Sequence, residues 1–302
     1  MTIHKNFDVI IIGGSYSGLS AAMSLGRALK QVLIIDSGKP CNRQTPHSHN
    51  FITHDGKTPS QIAQEAKEQV LKYDTVSFHD GLAISGTKTD YGFEIRTELG
   101  EVFISKKVIF ATGVKDIMPD IDGFAECWGI SILHCPYCHG YEVRHEKTGI
   151  IGNGEYGFEF SKMINNWTKN LTLFTNGKST LTEEQTAKLQ KHNIRIVETE
   201  IASLEHQNGK ISAIKFVDDL QETVTAIYTK PKMLQHCNIP QQLGCELTEQ
   251  NLIKVDMFQK TTVSGVFACG DSASPLRAVA AAVAAGNLAG AMTNREIIEE
   301  EF

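Results

Sequence analysis

The sequence has no long hydrophobic segment, and its longest apolar runs are Val9–Ile12 and Ala278–Ala285. A bilayer-spanning helix needs about 20 apolar residues, so we expect no membrane helix. There is no low-complexity stretch and no basic block, and the net charge is −6. These absences argue against disorder and against a nucleic-acid partner. The N-terminus also lacks the charged start and cleavage site that mark a signal peptide.

Seven cysteines are an odd number for a chain of 302 residues, which argues against a disulfide-stapled secreted scaffold. We therefore expect a reducing cytoplasm, where paired cysteines are more often catalytic than structural. Cys135 and Cys138 form a Cys-x-x-Cys motif. A zinc site would need a second such pair or a His-x₃₋₅-His, and the five remaining cysteines offer none. The motif therefore predicts a redox-active disulfide and no metal site.

A glycine turn follows an apolar strand near the start of the chain. The strand is predicted over Phe7–Ile12, and a helix over Leu19–Leu29 and a second strand over Gln31–Ile35 come after the turn. The turn residues are Gly13, Gly14, Ser15 and Gly18. Such a turn lets backbone amides approach a pyrophosphate at a helix N-terminus. Asp36 ends the second strand, where an acid suits ribose hydroxyls and repels a 2′-phosphate, so FAD or NAD is favoured over NADP.

A second turn of this kind, with all three glycines, begins after the predicted strand Thr148–Ile151. The glycines are Gly152, Gly154 and Gly157. The next strand, Leu171–Phe174, leads into Thr175-Asn176-Gly177-Lys178, which supplies neither a ribose-binding acid nor an arginine pair. Lys178 offers only a point charge. Two interpretations stay open: the domain has a weak NAD(P) site, or it no longer binds the nucleotide. Substitution of arginines for Thr175 and Asn176 is expected to raise the preference for NADPH.

Two such units predict an α/β protein with two Rossmann-like, three-layer dinucleotide-binding domains, the second inserted into the first. We expect the FAD-binding domain to comprise residues 1–114 and 249–302. The central domain, residues 115–248, would carry the cysteine pair and the NAD(P)-binding-like fold.

The cysteine motif is placed to support thiol chemistry. Pro136 suits the first position of a helix, and a helix N-terminus there stabilises the thiolate of Cys135. His139 follows the second cysteine, and an imidazole with an ordinary pKa near about 6.5 would transfer protons at neutral pH. The alternative is that His139 is a loop histidine without a role.

The order of these motifs, with Ala-Thr-Gly at 111–113 and a closing Gly-Asp at 270–271, resembles the low-molecular-weight thioredoxin reductases. The resemblance implies a homodimeric flavoprotein in which the second cysteine, Cys138, faces the flavin and the first, Cys135, meets the substrate disulfide. Asp36 would bind the adenosine ribose and Asp271 the ribityl chain. Arg277 lies beside the flavin-facing position of the last helix. The implied FAD contacts are Gly13, Gly14, Ser15, Gly18, Asp36, Arg43, Asn50, Ala111, Thr112, Gly113, Asp271, Ala278 and Val279.

The sequence departs from that family at three places. Ser15 replaces the middle glycine of the first turn. No His-Arg-Arg-type cluster grips an NADPH phosphate, and His139 replaces the usual aspartate. The segment Cys135–Glu142 is more similar to gliotoxin- and holomycin-type dithiol oxidases, which pass electrons from a small dithiol to oxygen.

We expect a thioredoxin-reductase-like enzyme that acts on a thioredoxin-like protein or a small dithiol or disulfide. The alternatives are a dithiol oxidase, a reductase fed by ferredoxin or another flavoprotein, and, remotely, a non-catalytic flavin-binding sensor. FAD is the expected cofactor, and the use of NADPH or NADH stays open.

Overall fold

The computed structural model describes residues 6–302. The strands are β1 (Asn6–Ile12), β2 (Val32–Asp36), β3 (Val76–Asp80), β4 (Ala83–Thr89), β5 (Gly92–Thr97), β6 (Val102–Phe110), β7 (Val114–Ile117), β8 (Ile132–Leu133), β9 (Thr148–Ile151), β10 (Leu171–Phe174), β11 (Arg195–Val197), β12 (Ile201–Gln207), β13 (Lys210–Phe216), β14 (Gln221–Thr223), β15 (Ala226–Tyr228), β16 (Lys232–Gln235) and β17 (Val266–Ala268). The helices are α1 (Tyr16–Arg27), α2 (Pro59–Val70), α3 (Phe124–Cys127), α4 (Pro136–His139), α5 (Gly154–Ile164), α6 (Glu183–Lys191), α7 (Ile239–Gln242) and α8 (Val279–Glu301).

The chain folds into two compact units. The first contains the described residues through Arg43, then 50–116 and Met233–Phe302, and the second contains Gln44–His49 and Ile117–Lys232. These units are defined by packing, and the cofactor-based boundaries stay a prediction. None of the helices within residues 6–302 is long and apolar enough to cross a bilayer.

The first unit is built on a seven-stranded sheet in the order β3-β2-β1-β6-β5-β4, with β17 paired to β6. Strand β1 is a nearly continuous apolar run because both faces of a parallel sheet are covered. Ile12 lies opposite both Ile35 and Phe110, so β1, β2 and β6 end together. The first glycine turn, which follows β1, and Asp36, which is the last residue of β2, therefore lie at the same edge of the sheet.

Helices α1 and α8 pack closely on one face of this sheet. A Cβ added to Gly286 would lie 2.0 Å from the carbonyl oxygen of Ser17, so the crossing requires a glycine. Helix α1 begins at Tyr16, earlier than predicted, because Ser15 takes the N-cap position. Helix α8 runs from Val279 to Glu301, and the extended residue Ala278 is its N-cap.

The second unit contains an all-parallel sheet in the order β11-β10-β9-β15-β8 and an antiparallel sheet in the order β12-β13-β14. Helix α5 begins at Gly154, and Asn153 is its N-cap. Both units therefore have the predicted Rossmann-like α/β architecture. Outside these sheets, β7 and β16 form a separate two-stranded sheet where the chain leaves and re-enters the first unit.

Candidate flavin site and redox disulfide

The first glycine turn passes within touching distance of the end of β6. Gly13 has φ +106°, and a Cβ there would lie 2.3 Å from the carbonyl oxygen of Ala111. A Cβ on Gly18 would lie 1.8 Å from the carbonyl oxygen of Gly13. Both positions are thus restricted to glycine by the backbone around them. The amides at the start of α1 remain the natural place for a pyrophosphate.

Asp36 orders this turn and still has capacity to bind a ligand. Its Oδ1 accepts a hydrogen bond from the Gly14 amide at 2.9 Å, and its Oδ2 accepts one from the Gly38 amide at 3.1 Å. Two carboxylate oxygens have about four acceptor positions, so lone pairs remain for ribose hydroxyls. Ser15 makes no side-chain capping bond at the N-terminus of α1. A hydrogen bond from its hydroxyl to a phosphate stays a prediction.

The hydroxyl of Thr112, two residues after the end of β6, is a buried polar group without a hydrogen-bond partner among the described residues. Thr112 Oγ1 is inaccessible to solvent and has no hydrogen-bond partner within residues 6–302. A native protein rarely leaves such an atom unpaired, so a bound ligand oxygen is a natural partner. Ala111 is buried beside it, and Gly113 follows with φ +65°. The glycine cradle, the acid at Asp36 and this orphaned hydroxyl together fit FAD.

Asp271 lies in a buried charge cluster beside the start of α8. Burial raises the pKa of Asp271, and the neighbouring Arg277 opposes this rise. Arg277 donates to Asp271 Oδ2 at 3.3 Å and to both carboxylate oxygens of Asp116, at 2.7 and 2.9 Å. Burial alone would lower the pKa of Arg277, but the two acids outweigh it and raise that pKa. Asp116 is a residue that the sequence did not point to.

The remaining positions assigned to FAD lie in loops or at a helix start. Ala278 is the N-cap of α8 and Val279 is its first residue, so both lie at a helix N-terminus. Arg43 is exposed and donates to the Pro40 carbonyl at 3.1 Å. Asn50 has φ +59°, and its amide donates to Asp55 Oδ1 at 2.7 Å. The roles of these residues toward FAD stay predictions.

The redox pair of the second unit forms the expected disulfide between Cys135 and Cys138. Cys135 is the N-cap of α4, Pro136 is its first residue, and Cys135 Sγ accepts a hydrogen bond from the Cys138 amide at 3.2 Å. Sulfur at a helix start is stabilised as a thiolate by the backbone donors there. Tyr137, between the two cysteines, is 66% exposed and meets Trp167 edge-on at 5.5 Å between ring centroids.

His139 has a different titration from the one expected. Burial lowers the pKa of His139 from 6.5 to about 4, with His49 adding to this effect and Glu142 opposing it. The imidazole is therefore neutral at pH 7 and can accept a proton, but it is a poor proton donor. His49 Nε2 lies 3.6 Å from Glu142 Oε1. Glu142 was visible within the cysteine motif, whereas nothing in the sequence linked His49 to it.

The second glycine turn is held by a side chain of its own. Asn153 Oδ1 accepts hydrogen bonds from the amides of Gly154 and Thr180, both at 2.8 Å. Asn153 Nδ2 donates to the carbonyl oxygen of Lys178 at 2.9 Å. The Gly154 amide, which a pyrophosphate would use, thus already donates its hydrogen bond to Asn153 Oδ1. The expected nucleotide contacts at Gly152, Gly154, Gly157 and Lys178 stay predictions.

The loop after β10, where arginines are expected to favour NADPH, is held by hydrogen bonds of its own side chains. Thr175 is buried, and its hydroxyl donates to the Gly177 carbonyl at 2.7 Å. Asn176 has φ +49°, and its Oδ1 accepts a hydrogen bond from the Ile201 amide at 2.7 Å. Replacing either residue would disturb the loop. Glu200, which the sequence did not single out, places Oε1 3.9 Å from where a Gly177 Cβ would lie.

Comparison with known proteins bears on both sites. A family model described as pyridine nucleotide-disulphide oxidoreductase matches residues 7–286. The protein named thioredoxin reductase tcpT, from Claviceps purpurea, is 32% identical over 314 residues, which cover 99% of this chain and 97% of its own length.

Two solved structures are also similar. An oxidoreductase from Agrobacterium tumefaciens is 37% identical with a TM-score of 0.92, covering 98% of this chain and 99% of its own. The structure of HlmI is 28% identical with a TM-score of 0.93, covering 100% of this chain and 95% of its own. These similarities confirm the predicted fold, FAD as cofactor and the thiol–disulfide activity. The chain belongs to the pyridine nucleotide-disulphide oxidoreductases, as a thioredoxin-reductase-like, FAD-dependent enzyme that exchanges electrons with a thiol or disulfide substrate.

Proposed function

We propose that this enzyme works in the direction of dithiol oxidation, taking two electrons from a small dithiol and passing them through the Cys135–Cys138 pair to FAD and then to oxygen. The observation that carries this proposal is the second glycine turn, where Asn153 Oδ1 already accepts hydrogen bonds from the amides of Gly154 and Thr180 and where Lys178 is the one lysine or arginine of the loop after β10. The half-buried imidazole of His139 follows Cys138 in the chain and, with its pKa lowered to about 4, is neutral at pH 7. A neutral imidazole removes protons from incoming thiols.

The oxidation can be written with all atoms and electrons accounted for. His139 takes the proton of a substrate thiol, and the resulting thiolate attacks Cys135 Sγ, so the Cys135–Cys138 bond breaks and a mixed disulfide forms. The second substrate thiol loses its proton and displaces Cys135, which gives the substrate disulfide and a reduced pair. FAD, when bound, supplies the two-electron acceptor that regenerates the disulfide. Oxygen then takes the electron pair with two protons, as hydrogen peroxide.

The second glycine turn supports this direction because it provides little for NADPH. Lys178 is the one lysine or arginine of the loop after β10, and it is exposed. Glu155 lies in the first turn of α5, and Glu200 lies near Gly177. Carboxylates at these places repel a 2′-phosphate. Electrons that do not enter from NADPH must come from another donor, and a dithiol substrate is one.

The test is oxygen consumption with a small dithiol, followed with an oxygen electrode in the absence of pyridine nucleotide. We expect one hydrogen peroxide for each disulfide formed, and no consumption by the Cys138→Ser variant. Cys245→Ser provides the matched control and should leave turnover intact, because a serine hydroxyl can keep the contact that Cys245 Sγ makes with Thr261 Oγ1 at 3.5 Å. Absence of dithiol-dependent oxygen uptake by the unaltered FAD-loaded enzyme would rule the proposal out.

A second candidate is reduction of a thioredoxin-like protein, with electrons from ferredoxin or another flavoprotein. The name thioredoxin reductase carried by tcpT favours it, and so does the poor phosphate site. One experiment distinguishes the two functions: enzyme with pre-reduced flavin is mixed anaerobically with thioredoxin. Only the reductase is expected to reduce thioredoxin under these conditions.

The family resemblance further supports a homodimer, and the five cysteines outside the disulfide support a reducing cytoplasm. Light scattering at the expected twofold mass tests the first of these proposals, and cell fractionation tests the second.

A further inference from the structure

The side chain of Asn153 joins the second glycine turn to the loop that follows β10. Its Oδ1 accepts three hydrogen bonds, from the amides of Gly154 and Thr180 at 2.8 Å each and from Thr180 Oγ1 at 3.1 Å. Its Nδ2 donates to the carbonyl oxygens of Lys178 at 2.9 Å and of Thr175 at 3.4 Å. The carboxamide therefore uses both of its donors and both of its acceptor positions on contacts within the second unit.

Thr180 fills the space that the second glycine of the turn leaves open. In a G-x-G-x-x-G turn this glycine, here Gly154, lets the backbone come close to the pyrophosphate of a dinucleotide. A Cβ added to Gly154 would lie 2.9 Å from Thr180 Oγ1. The room that a pyrophosphate needs over the turn is thus taken by a side chain of the same unit.

The positive end of α5 is already compensated by the protein itself. A helix N-terminus attracts anions because its first amides lack partners within the helix. Here Asn153 supplies a neutral oxygen to those donors, and Glu155 places a carboxylate in the first turn. Gln185 Nε2, from α6, donates to Glu155 Oε2 at 2.6 Å and so holds this acid in place. The residues of this turn therefore do not fit the pyridine nucleotide that the family implies.

We propose that Asn153 is the residue that keeps the affinity for pyridine dinucleotides low, because its Oδ1 and Thr180 Oγ1 stand where the oxygens of the pyrophosphate would bind. The pyrophosphate is common to NADH and NADPH, so both are excluded alike, whichever residues face the 2′-phosphate. The inference concerns binding to the second unit alone. It goes beyond the proposed direction of catalysis, since a dithiol oxidase and a reductase fed by another protein would both keep this closure.

The test removes the carboxamide and measures nucleotide binding. Isothermal titration calorimetry of the oxidised, FAD-loaded enzyme uses NAD⁺ and NADP⁺, which carry the pyrophosphate but no hydride. In Asn153→Ala we expect the affinity for both to rise about tenfold to a hundredfold, the value of one hydrogen bond to a charged group. Asn166→Ala, which changes an exposed asparagine just after α5, is the matched control and should leave both affinities unchanged.

Two further variants keep the test decisive if Asn153→Ala does not fold. Asn153→Ser can still cap α5 but is too short to bridge to the loop, and Thr180→Ala removes the hydroxyl over Gly154. Each should raise both affinities in the same direction. Unchanged affinities in folded variants would overturn the proposal, and so would a gain for NADP⁺ alone or tight binding of NAD⁺ by the unaltered enzyme. The titration contains no dithiol, so its outcome is separate from that of the oxygen-uptake test of the proposed function.

Discussion

Replacing His139 with asparagine tests whether this residue is the base that deprotonates the substrate. With a pKa of about 4, the imidazole is neutral in nearly every molecule at pH 7. Loss of a general base typically costs about 10²- to 10⁴-fold in rate. We expect a fall of that size in anaerobic flavin reduction by a small dithiol, measured at saturating substrate. His145→Asn is the matched control, because His145 is exposed and its φ of +66° suits asparagine.

The pH dependence separates this role from a structural one. A base with a pKa of about 4 keeps more than about 90% of its neutral form at pH 5, so the rate should be nearly flat from pH 7 to pH 5. A base with the ordinary histidine pKa would lose about 25-fold over the same range. Without any base, the rate should follow the thiolate concentration and fall about tenfold per pH unit. A flat profile in His139→Asn, or a fall around pH 6.5 in the unaltered enzyme, would refute the reasoning.

Three further predictions follow from the described geometry. Replacing Cys138 with serine should abolish the thiolate-to-flavin charge-transfer absorbance of the reduced enzyme, whereas replacing Cys135 should keep that band and stop turnover. Two charged hydrogen bonds to the phosphate, of about 1.5–3 kcal/mol each, are missing, so NADPH should bind about 10²- to 10⁴-fold more weakly than in an enzyme that has them. In stopped-flow, flavin reduction should show little preference for NADPH over NADH. The Lys178→Arg variant should raise the preference for NADPH. Gly286→Ala should destabilise the protein by about 1–3 kcal/mol in urea unfolding, because its Cβ would meet the Ser17 carbonyl oxygen at 2.0 Å.

Each of these predictions has an outcome that contradicts it. A charge-transfer band that survives in Cys138→Ser would assign the flavin-facing role to Cys135. Saturation of flavin reduction at micromolar NADPH would show that the phosphate is held by a residue not identified here. Ala284→Ser, at an exposed position of α8, is the control for Gly286→Ala. Equal stability of the two variants would mean that the α1–α8 crossing adjusts without cost.

The parts of the structure that could be predicted from the sequence are local in the chain. A glycine turn between two strands, with an acid at the end of the second, places Gly13 and Asp36 at one sheet edge because parallel strands end together. The cysteine pair was recognisable because its members are three residues apart and Pro136 starts a helix between them. In such cases the spacing alone determines which groups meet.

The parts that could not be predicted depend on distant residues. Arg277 and Asp116 are 161 residues apart, and no spacing rule relates them. His139 was given an ordinary pKa because its burial, and its neighbours His49 and Glu142, exist only in the folded protein. Arginine at Thr175 is expected from the sequence to favour NADPH, but the sequence does not show that the fold buries Thr175 and uses its hydroxyl inside the loop. Burial and long-range partners are properties of tertiary structure, so local patterns do not reveal them.

The central claim is that electrons pass between a dithiol and FAD through the Cys135–Cys138 pair, with NADPH as a poor donor. The most direct measurement is anaerobic mixing of the FAD-loaded enzyme with a small dithiol, with NADPH and with NADH, while the flavin absorbance is recorded and air is then admitted. We predict rapid bleaching by the dithiol, slow bleaching by either nucleotide, and recovery of the oxidised flavin in air. Rapid bleaching by NADPH together with no bleaching by the dithiol would contradict the account.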